Sequence, residues 1–456
     1  MTNCLDQYYR CPDRYVQYAA KGPLSVANGY FQCGGATCYG RYSGQSAAKS
    51  PTGILHDSLH DIEIKDGTIY LSFNPAQVVD NFRRETYVDD WRHRGLLSAL
   101  ARMYYFIRPA FSVGVRRQLQ RLHLRGWVKL PFPNWPVDSS VDNLLGQLML
   151  LALRASGVER IPFIWFWPEG GSSCAIMTHD VETKAGRDFC PTLMDIDDSF
   201  GIKASFQIIP EERYGVNPEF LYSIRRRGFE VVVHDLNHDG HLYRDREQFL
   251  ERAAKINAYG KEYGAEGFRA GVLYRKQLWY DALKFSYDMS VPNVAHLDPQ
   301  RGGCCTVMPY FLGNILELPV TTTQDYTLFH ILDDYSMNLW KQQSELIMEK
   351  HGLMSFIVHP DYVIEPPERR VYEALLGYLV QLRQEKNIWI TTPGEVNRWW
   401  RQRAKMKLVD NGEGWQIEGL GKERARIAYA SAEEGRLVLT LQAETHQDVH
   451  PMRRSS

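Results

Sequence analysis

The chain lacks an excess of either charge, and no long block of one sign interrupts it. Its 456 residues include 53 Lys and Arg against 54 Asp and Glu, so the net charge is -1. Proteins that bind nucleic acids through the phosphates carry a positive surface. The charge balance argues against that class of function, and we expect no nucleic-acid partner.

Long hydrophobic runs are also missing. The longest apolar stretch, residues 144–153, is much shorter than the roughly 20 residues that span a bilayer. The first fifteen residues include acidic and polar side chains where a secretory signal has its apolar core. These absences predict a cytoplasmic protein without a membrane span, and no feature indicates an oligomeric state.

Cysteine is sparse, with eight residues in the chain and no CxxC pair among them. Such a number is too small for a disulfide scaffold in a chain of this length. The spacing also lacks the paired cysteines of a structural zinc site. We expect eight unpaired thiols.

Three parts follow one another along the chain. Residues 1–155 mix short strand-like and helical segments and show no recognisable chemistry, which predicts an N-terminal α+β region. Residues 156–403 alternate short apolar runs with amphipathic stretches such as 245–263 and 368–385. Residues 404–456 contain two alternating runs, 415–418 and 436–442, among glycines, which predicts a small β appendage.

The middle part is the most regular of the three. Strands that alternate with helices imply a parallel sheet, and about seven runs suggest an α/β barrel as readily as an open sheet. The predicted strands are 174–178, 204–209, 230–234, 267–270, 315–320, 354–359 and 388–391.

Polar residues of catalytic type follow two of these strands. Asp180 and Glu182 lie two positions apart at the end of the first run, so their side chains share one side if the strand continues. His234 and His238 end the third run, and one helical turn between them would direct both imidazoles to one cation. Taken alone, each pair also fits an ordinary surface or capping position.

Three further motifs contain Arg269, Asp288 and His359. Each residue alone has an ordinary structural explanation: a surface ion pair, a turn, or a core histidine. The order of all the motifs along the chain is what argues against these ordinary explanations.

In order, these motifs are Thr-x-Asp-x-Glu, His-x-x-x-His, Arg-x-Gly, Tyr-Asp-x-Ser-x-x-Pro and His-Pro. The series resembles the five sequential motifs of the polysaccharide deacetylases, the NodB homology domain of carbohydrate esterase family four. The resemblance covers about residues 174–400. It implies a distorted (β/α)7 barrel and one divalent metal ion, zinc before cobalt or nickel, bound by one carboxylate and two histidines.

The resemblance also implies a role for each motif residue. These are the general base Asp180, the metal ligands Glu182, His234 and His238, the arginine Arg269 that holds the base, the acid Asp288 that orients the last histidine, and the general acid His359.

Two motifs depart from the family's common pattern. The first is usually Thr-Phe-Asp-Asp-Gly, whereas here it is similar to the family's Asp-x-Asp branch, with Glu182 in the second position. A metal bound by Asp180 therefore stays an alternative. In the third motif Ala270-Gly271 replaces x-Pro, so the backbone N–H that would stabilise an oxyanion belongs to Val272.

The resemblance predicts an enzyme that hydrolyses an acetyl group, most simply an N-acetyl group, from a carbohydrate substrate in glycan biosynthesis. One alternative is hydrolysis of another amide or cyclic imide C–N bond. Another is a carbohydrate-binding barrel without catalysis, although such a module has no need of a paired acid and base. Residues outside 156–403 are expected to be dispensable for the chemistry.

Overall fold

The computed structural model of the chain describes residues 4–44, 47–88, 118, 121–122, 124, 126–412 and 414–442. Its N-terminal region contains both helices and short strands, as predicted. In order they are α1 Cys4–Tyr9, β1 Tyr18–Ala20, β2 Gly29–Cys33, β3 Ala36–Gly40, β4 Glu63–Lys65, β5 Thr68–Leu71, α2 Pro75–Arg83 and α3 Ser140–Ser156, and β6 Arg160–Ile164 follows just beyond this region. Strands β1, β5 and β4 form one small sheet, and β2 pairs with β3.

A curled sheet of nine strands forms the centre of the described molecule. The strands are β7 Cys174–Val181, β8 Ser205–Ile208, β9 Glu230–His234, β10 Gly267–Arg269, β11 Tyr287–Asp288, β12 Tyr310–Leu312, β13 Ile315–Glu317, β14 Leu353–Ile357 and β15 Trp389–Thr391. All of them run parallel except β12, which lies antiparallel beside β13.

The sheet curls into an incompletely closed barrel. Its order is β12-β13-β11-β10-β9-β8-β7-β14, and β15 pairs with the first half of β7. Between β13 and β14, two side chains bridge the opening: the hydroxyls of Thr321 and Thr322 donate to the carbonyls of Leu353 and Ser355 at 2.6 and 2.8 Å. The fold is thus mixed α/β, consistent with the predicted distorted barrel of NodB type.

An α-helix follows six of the nine strands of the sheet. These helices are α4 Lys184–Ser199, α5 Pro218–Arg225, α6 Arg246–Tyr263, α7 Asn338–Met348, α8 Pro366–Lys386 and α9 Pro393–Arg403. Local sequence explains the ends of α6, because the Asp245 side chain accepts from the Gln248 N–H and Gly264 ends the helix at φ 56°.

Continuous apolar sequence explains why the strands were predictable. All eight residues of β7 and all four of β8 are buried, as expected for parallel strands covered on both faces. Each of the seven predicted runs overlaps a strand. Strands β11 and β12 were not predicted, because two or three residues are too few to show a pattern.

The C-terminal part contains two hairpins, which confirms its predicted β character. They are formed by β16 Lys407–Asp410 with β17 Trp415–Glu418 and by β18 Ile427–Glu433 with β19 Arg436–Leu441. Strand β18 also pairs with β6. One hydrophobic core joins buried residues from all three predicted parts of the chain, including Leu5, Leu148, Ile176 and Ala428.

No helix in the described part of the chain is both long and apolar enough to cross a membrane.

Candidate active site

The site lies at the carboxyl ends of the parallel strands, where α/β barrels place their catalytic groups. Asp180 is buried near the end of β7, and Arg269 ends β10. Arg269 Nη1 donates to Asp180 Oδ1 at 2.5 Å and to the hydroxyl of Thr178 at 2.8 Å. Burial by itself would raise the pKa of Asp180, but Arg269 and then His234 bring it below the usual value. The structure thus brings together the predicted base and the predicted arginine.

His234 ends β9 with one ring nitrogen bonded and the other free. Its Nδ1 lies 3.2 Å from the carbonyl of Arg269, which can only accept, so Nδ1 carries the proton. The buried Nε2 has no hydrogen-bond partner among the described residues. Burial lowers the pKa of His234 to about 4, despite the opposing effect of Asp180. The ring is therefore neutral and has a free lone pair at neutral pH.

His238 lies beside His234 as predicted, but a loop places it there instead of the predicted helical turn. The segment after β9 is a loop, and His238 has a left-handed backbone with φ 57°. The two imidazole rings nevertheless lie 4.9 Å apart between centroids. A Cβ on Gly271 would lie 2.9 Å from the His238 ring and 2.5 Å from an Asp235 oxygen, so the loop requires a glycine there.

Glu182, His234 and His238 form a group whose possible ligand atoms all lie within 4.8 Å of one another. His238 Nε2 is 3.0 Å from Glu182 Oε1. Two imidazoles and a carboxylate are a ligand set for a divalent metal, and the unpartnered Nε2 of His234 is the buried polar atom that such an ion would satisfy. The residues therefore fit the predicted metal. Asp180 Oδ2 lies 3.7 Å from the same nitrogen, close enough to act beside the ion.

Asp361 holds the segment that carries Glu182, a function that the sequence did not indicate. Its carboxylate accepts from the backbone N–H of Glu182 at 3.4 Å and of Gly186 at 3.2 Å, and also from the Thr183 hydroxyl. Asp361 directly follows the His359-Pro360 motif, and this position is the one feature of the sequence that could have indicated its role.

His359 lies just beyond β14 and is paired with Asp325. The Asp325 carboxylate accepts from Nδ1 at 2.6 Å and from the backbone N–H of His359 at 2.7 Å. Nε2 of His359 is 3.5 Å from Glu182. Burial alone would lower the pKa of His359, but Asp325 raises it well above the usual value. His359 is thus charged and faces the metal-ligand group.

The prediction that Asp288 orients His359 is wrong. Asp288 accepts from the Ser290 hydroxyl at 2.8 Å and from its N–H at 3.0 Å, and it stands opposite Glu317 in the β11–β13 ladder. Motif spacing placed Asp288 correctly at a strand end but could not show that its carboxylate accepts hydrogen bonds from Ser290. Asp325, at the start of the helical segment that follows β13, supplies the partner instead.

The turn after Arg269 contains two strained residues. Val272 and Leu273 have φ 59° and 52°, a left-handed conformation that costs a bulky residue about 1–3 kcal/mol. Gly271 packs against His238, so Val272 comes next to the metal-ligand group. Among the residues that the structure describes, the Val272 N–H has no hydrogen-bond acceptor. This is the donor predicted for an oxyanion.

Comparisons with known proteins give structural matches alone. No family model matches the chain. No curated protein matches it either. Similar solved structures include a protein assigned as a polysaccharide deacetylase from Mycobacterium smegmatis, with 18% identity over 52% of this chain and 93% of that chain and a TM-score of 0.43.

Two others are the allantoinase PuuE and an acetyl xylan esterase of family 4 from Clostridium thermocellum in complex with a cobalt ion. The allantoinase shares 11% identity over 52% of this chain and 92% of that chain, with a TM-score of 0.40. The esterase shares 14% identity over 50% and 91%, with a TM-score of 0.31. The chain resembles the polysaccharide deacetylases. The matches do not distinguish the Asp-x-Asp branch.

Proposed function

We propose that this protein is a metal-dependent hydrolase that removes the acetyl group from an N-acetylated sugar of a glycan. One observation carries the proposal: a carboxylate, Asp180, and an imidazole, His359, both face the group formed by Glu182, His234 and His238. A base and an acid on either side of a metal-ligand group suit the hydrolysis of an amide.

A divalent cation, with zinc, cobalt and nickel as the candidates, would be held by Glu182, His234 and His238. When bound, such an ion polarises a carbonyl group and makes a water molecule more acidic.

Asp180 is suited to accept the proton of the attacking water. Arg269 holds one of its oxygens at 2.5 Å and lowers its pKa against the effect of burial, so the carboxylate is ionised before the reaction begins. The second oxygen, Oδ2, points toward His234 Nε2 and remains available. Arg269 thus fixes the base in its charged form and in one orientation.

His359 is suited to protonate the leaving nitrogen. When the C–N bond breaks, the amine departs only with a proton, and the Nε2–H of a charged His359 can supply it. Asp325 keeps the ring charged and fixes its direction through two hydrogen bonds. The Val272 N–H would stabilise the oxyanion formed in between. Acetate and a free amine are the products, and water supplies the added atoms.

The decisive experiment measures acetate release from N-acetylated sugars and short N-acetylated glycans, with the purified protein supplied in turn with zinc, cobalt and nickel. We expect release from at least one substrate and its loss in Asp180→Asn. Binding of an acetylated glycan without release of acetate under any of these conditions would instead favour the carbohydrate-binding alternative.

A further inference from the structure

We propose that Glu85 and Arg275 are positioning residues that hold the turn 271–273 and so aim the Val272 N–H at the reacting carbonyl. The inference rests on the proposed function. It gives the N-terminal region, which shows no chemistry in its sequence, an indirect part in the reaction through Glu85.

Glu85 and Arg275 form an ion pair that is removed from solvent. The side chain of Arg275 is 0% exposed and that of Glu85 is 6% exposed. Arg275 Nε donates to Glu85 Oε2 at 2.6 Å, and its Nη2 donates to Oε1. Burial would lower the pKa of Arg275, but Glu85 raises it above the usual value. The two hydrogen bonds make the pair bidentate, which fixes the plane of the guanidinium.

Glu85 is itself held by the barrel. It accepts from the Gln277 side chain at 2.8 Å and from the Gly303 N–H at 2.6 Å. A Cβ on Gly302 would lie 2.4 Å from its Oε1, so the neighbouring loop closes tightly over the carboxylate. Four donor groups therefore fix one acid that lies 190 residues from Arg275 in the sequence.

The third nitrogen of Arg275 reaches the turn. Its Nη1 donates to the carbonyl of Leu273 at 2.9 Å. Gln300 also holds the Arg275 backbone, accepting from its N–H at 3.1 Å and donating to its carbonyl at 3.0 Å. A continuous chain of contacts thus joins Glu85 to the carbonyl next to the strained Val272.

Such a support is needed because the turn begins at a flexible residue. Gly271 cannot be replaced by a stiffer residue, since His238 and Asp235 occupy the space of a side chain. Two left-handed residues follow it, a conformation that persists only where the surroundings determine it. The guanidinium of Arg275 binds the backbone of this turn through the Leu273 carbonyl.

The experiment compares Arg275→Lys with Asp142→Asn. Lysine keeps a cation beside Glu85 but lacks the fork that reaches Leu273 at the same time. Asp142 is a matched control, because it is also a buried acid of the N-terminal region that binds the barrel, through Thr306 at 2.8 Å and Val307 at 3.1 Å, away from the turn. Gln300→Leu is the second test variant, and its half-buried position makes it tolerant of change.

We expect Arg275→Lys to lower kcat on the order of 10- to 100-fold with little change in KM and in bound metal. Gln300→Leu should act in the same direction by about several-fold, and Asp142→Asn should lower the unfolding temperature with kcat per folded molecule unchanged. Amide hydrogen exchange in the peptide 270–275 should quicken in the first two variants and not in the third.

Unchanged kcat and unchanged exchange in both test variants would overturn the positioning role and leave the ion pair as a tie between two regions. If the wild-type protein releases no acetate from any substrate, the proposed function fails. The exchange measurement then still decides whether Arg275 holds the turn.

Discussion

The carboxylate of Asp325 contacts His359 at two places, 2.6 Å from Nδ1 and 2.7 Å from the backbone nitrogen. The ring cannot rotate without breaking the hydrogen bond from Nδ1. The hydrogen bond from the backbone N–H holds the Asp325 carboxylate in place beside the ring. A histidine fixed in this way is set up to deliver a proton in one direction. Its partner comes from a segment of the chain that lies outside the five motifs.

Replacing Asp325 by Asn should therefore affect substrates according to their leaving groups. We expect hydrolysis of an N-acetyl amide to slow by about 100-fold or more, because the amine must be protonated. An activated acetate ester, whose leaving group needs no proton, should slow less. Steady-state rates on both substrates check this. Asp288→Asn is the control. If the ratio of the amide rate to the ester rate changed in Asp288→Asn and not in Asp325→Asn, Asp288 would be the residue that orients His359.

The free nitrogen of His234 predicts the metal content. Wild-type protein should hold about one divalent ion per chain, and His234→Ala should lose it together with activity. His241→Ala is a matched control from the same loop, because its side chain is 51% exposed and lies outside the ligand group. Elemental analysis after dialysis measures the result. Full activity in wild-type protein stripped of metal would contradict the proposal.

The two carboxylates have different contacts, from which we predict different roles. Asp180 is engaged by Arg269, whereas Glu182 lies against His238. Asp180→Asn should keep the metal and lose turnover by a factor on the order of 100 or more. Glu182→Gln should bind metal more weakly. Metal titration of the two variants distinguishes them, and the reverse pattern would exchange the two roles.

The buried pair of Asp288 and Glu317 predicts how stability depends on pH. Burial, and then the Asp288 charge, raise the pKa of Glu317 well above its usual value. Since the folded state holds this proton more tightly than the unfolded chain, the stability it contributes is complete below the unfolded pKa and is lost as pH rises through the folded pKa.

Glu317→Gln removes that titration while its side-chain oxygen can still accept from the Val291 N–H. The free energy of unfolding of the variant relative to wild type should therefore rise as the pH increases above about 5, with a slope of at most about 1.4 kcal/mol per pH unit. Glu418→Gln, on an exposed position of β17, should show no such trend. A difference that stays constant with pH would refute the prediction.

Local pattern was sufficient for most of the barrel and for part of the site. The run at Glu230–His234 was predicted with its observed bounds, because three consecutive valines and a terminal histidine contrast with the polar segments around them. Glu182, His234 and His238 also came together as predicted. Parallel strands bring their ends to one edge, so residues placed there by sequence meet in space.

The remaining features depend on contacts between distant parts of the chain. Asp325 sits after a strand without an acidic motif, and Glu85 lies 190 residues from the arginine it binds. The turn expected between His234 and His238 is a loop, since left-handed residues replace a helix there. None of these follows from spacing, because a side chain's partner is decided by which loops the barrel brings together.

The pairing of β6 with β18 constrains how the protein matures during synthesis. Ile161 stands opposite Ala430 in that ladder, so β6 leaves the ribosome long before its neighbour exists. In the interval its apolar residues form an open edge that a chaperone or a second nascent chain can engage. A ribosome halted before residue 427 would therefore display the whole candidate active site on a molecule whose central core is still incomplete.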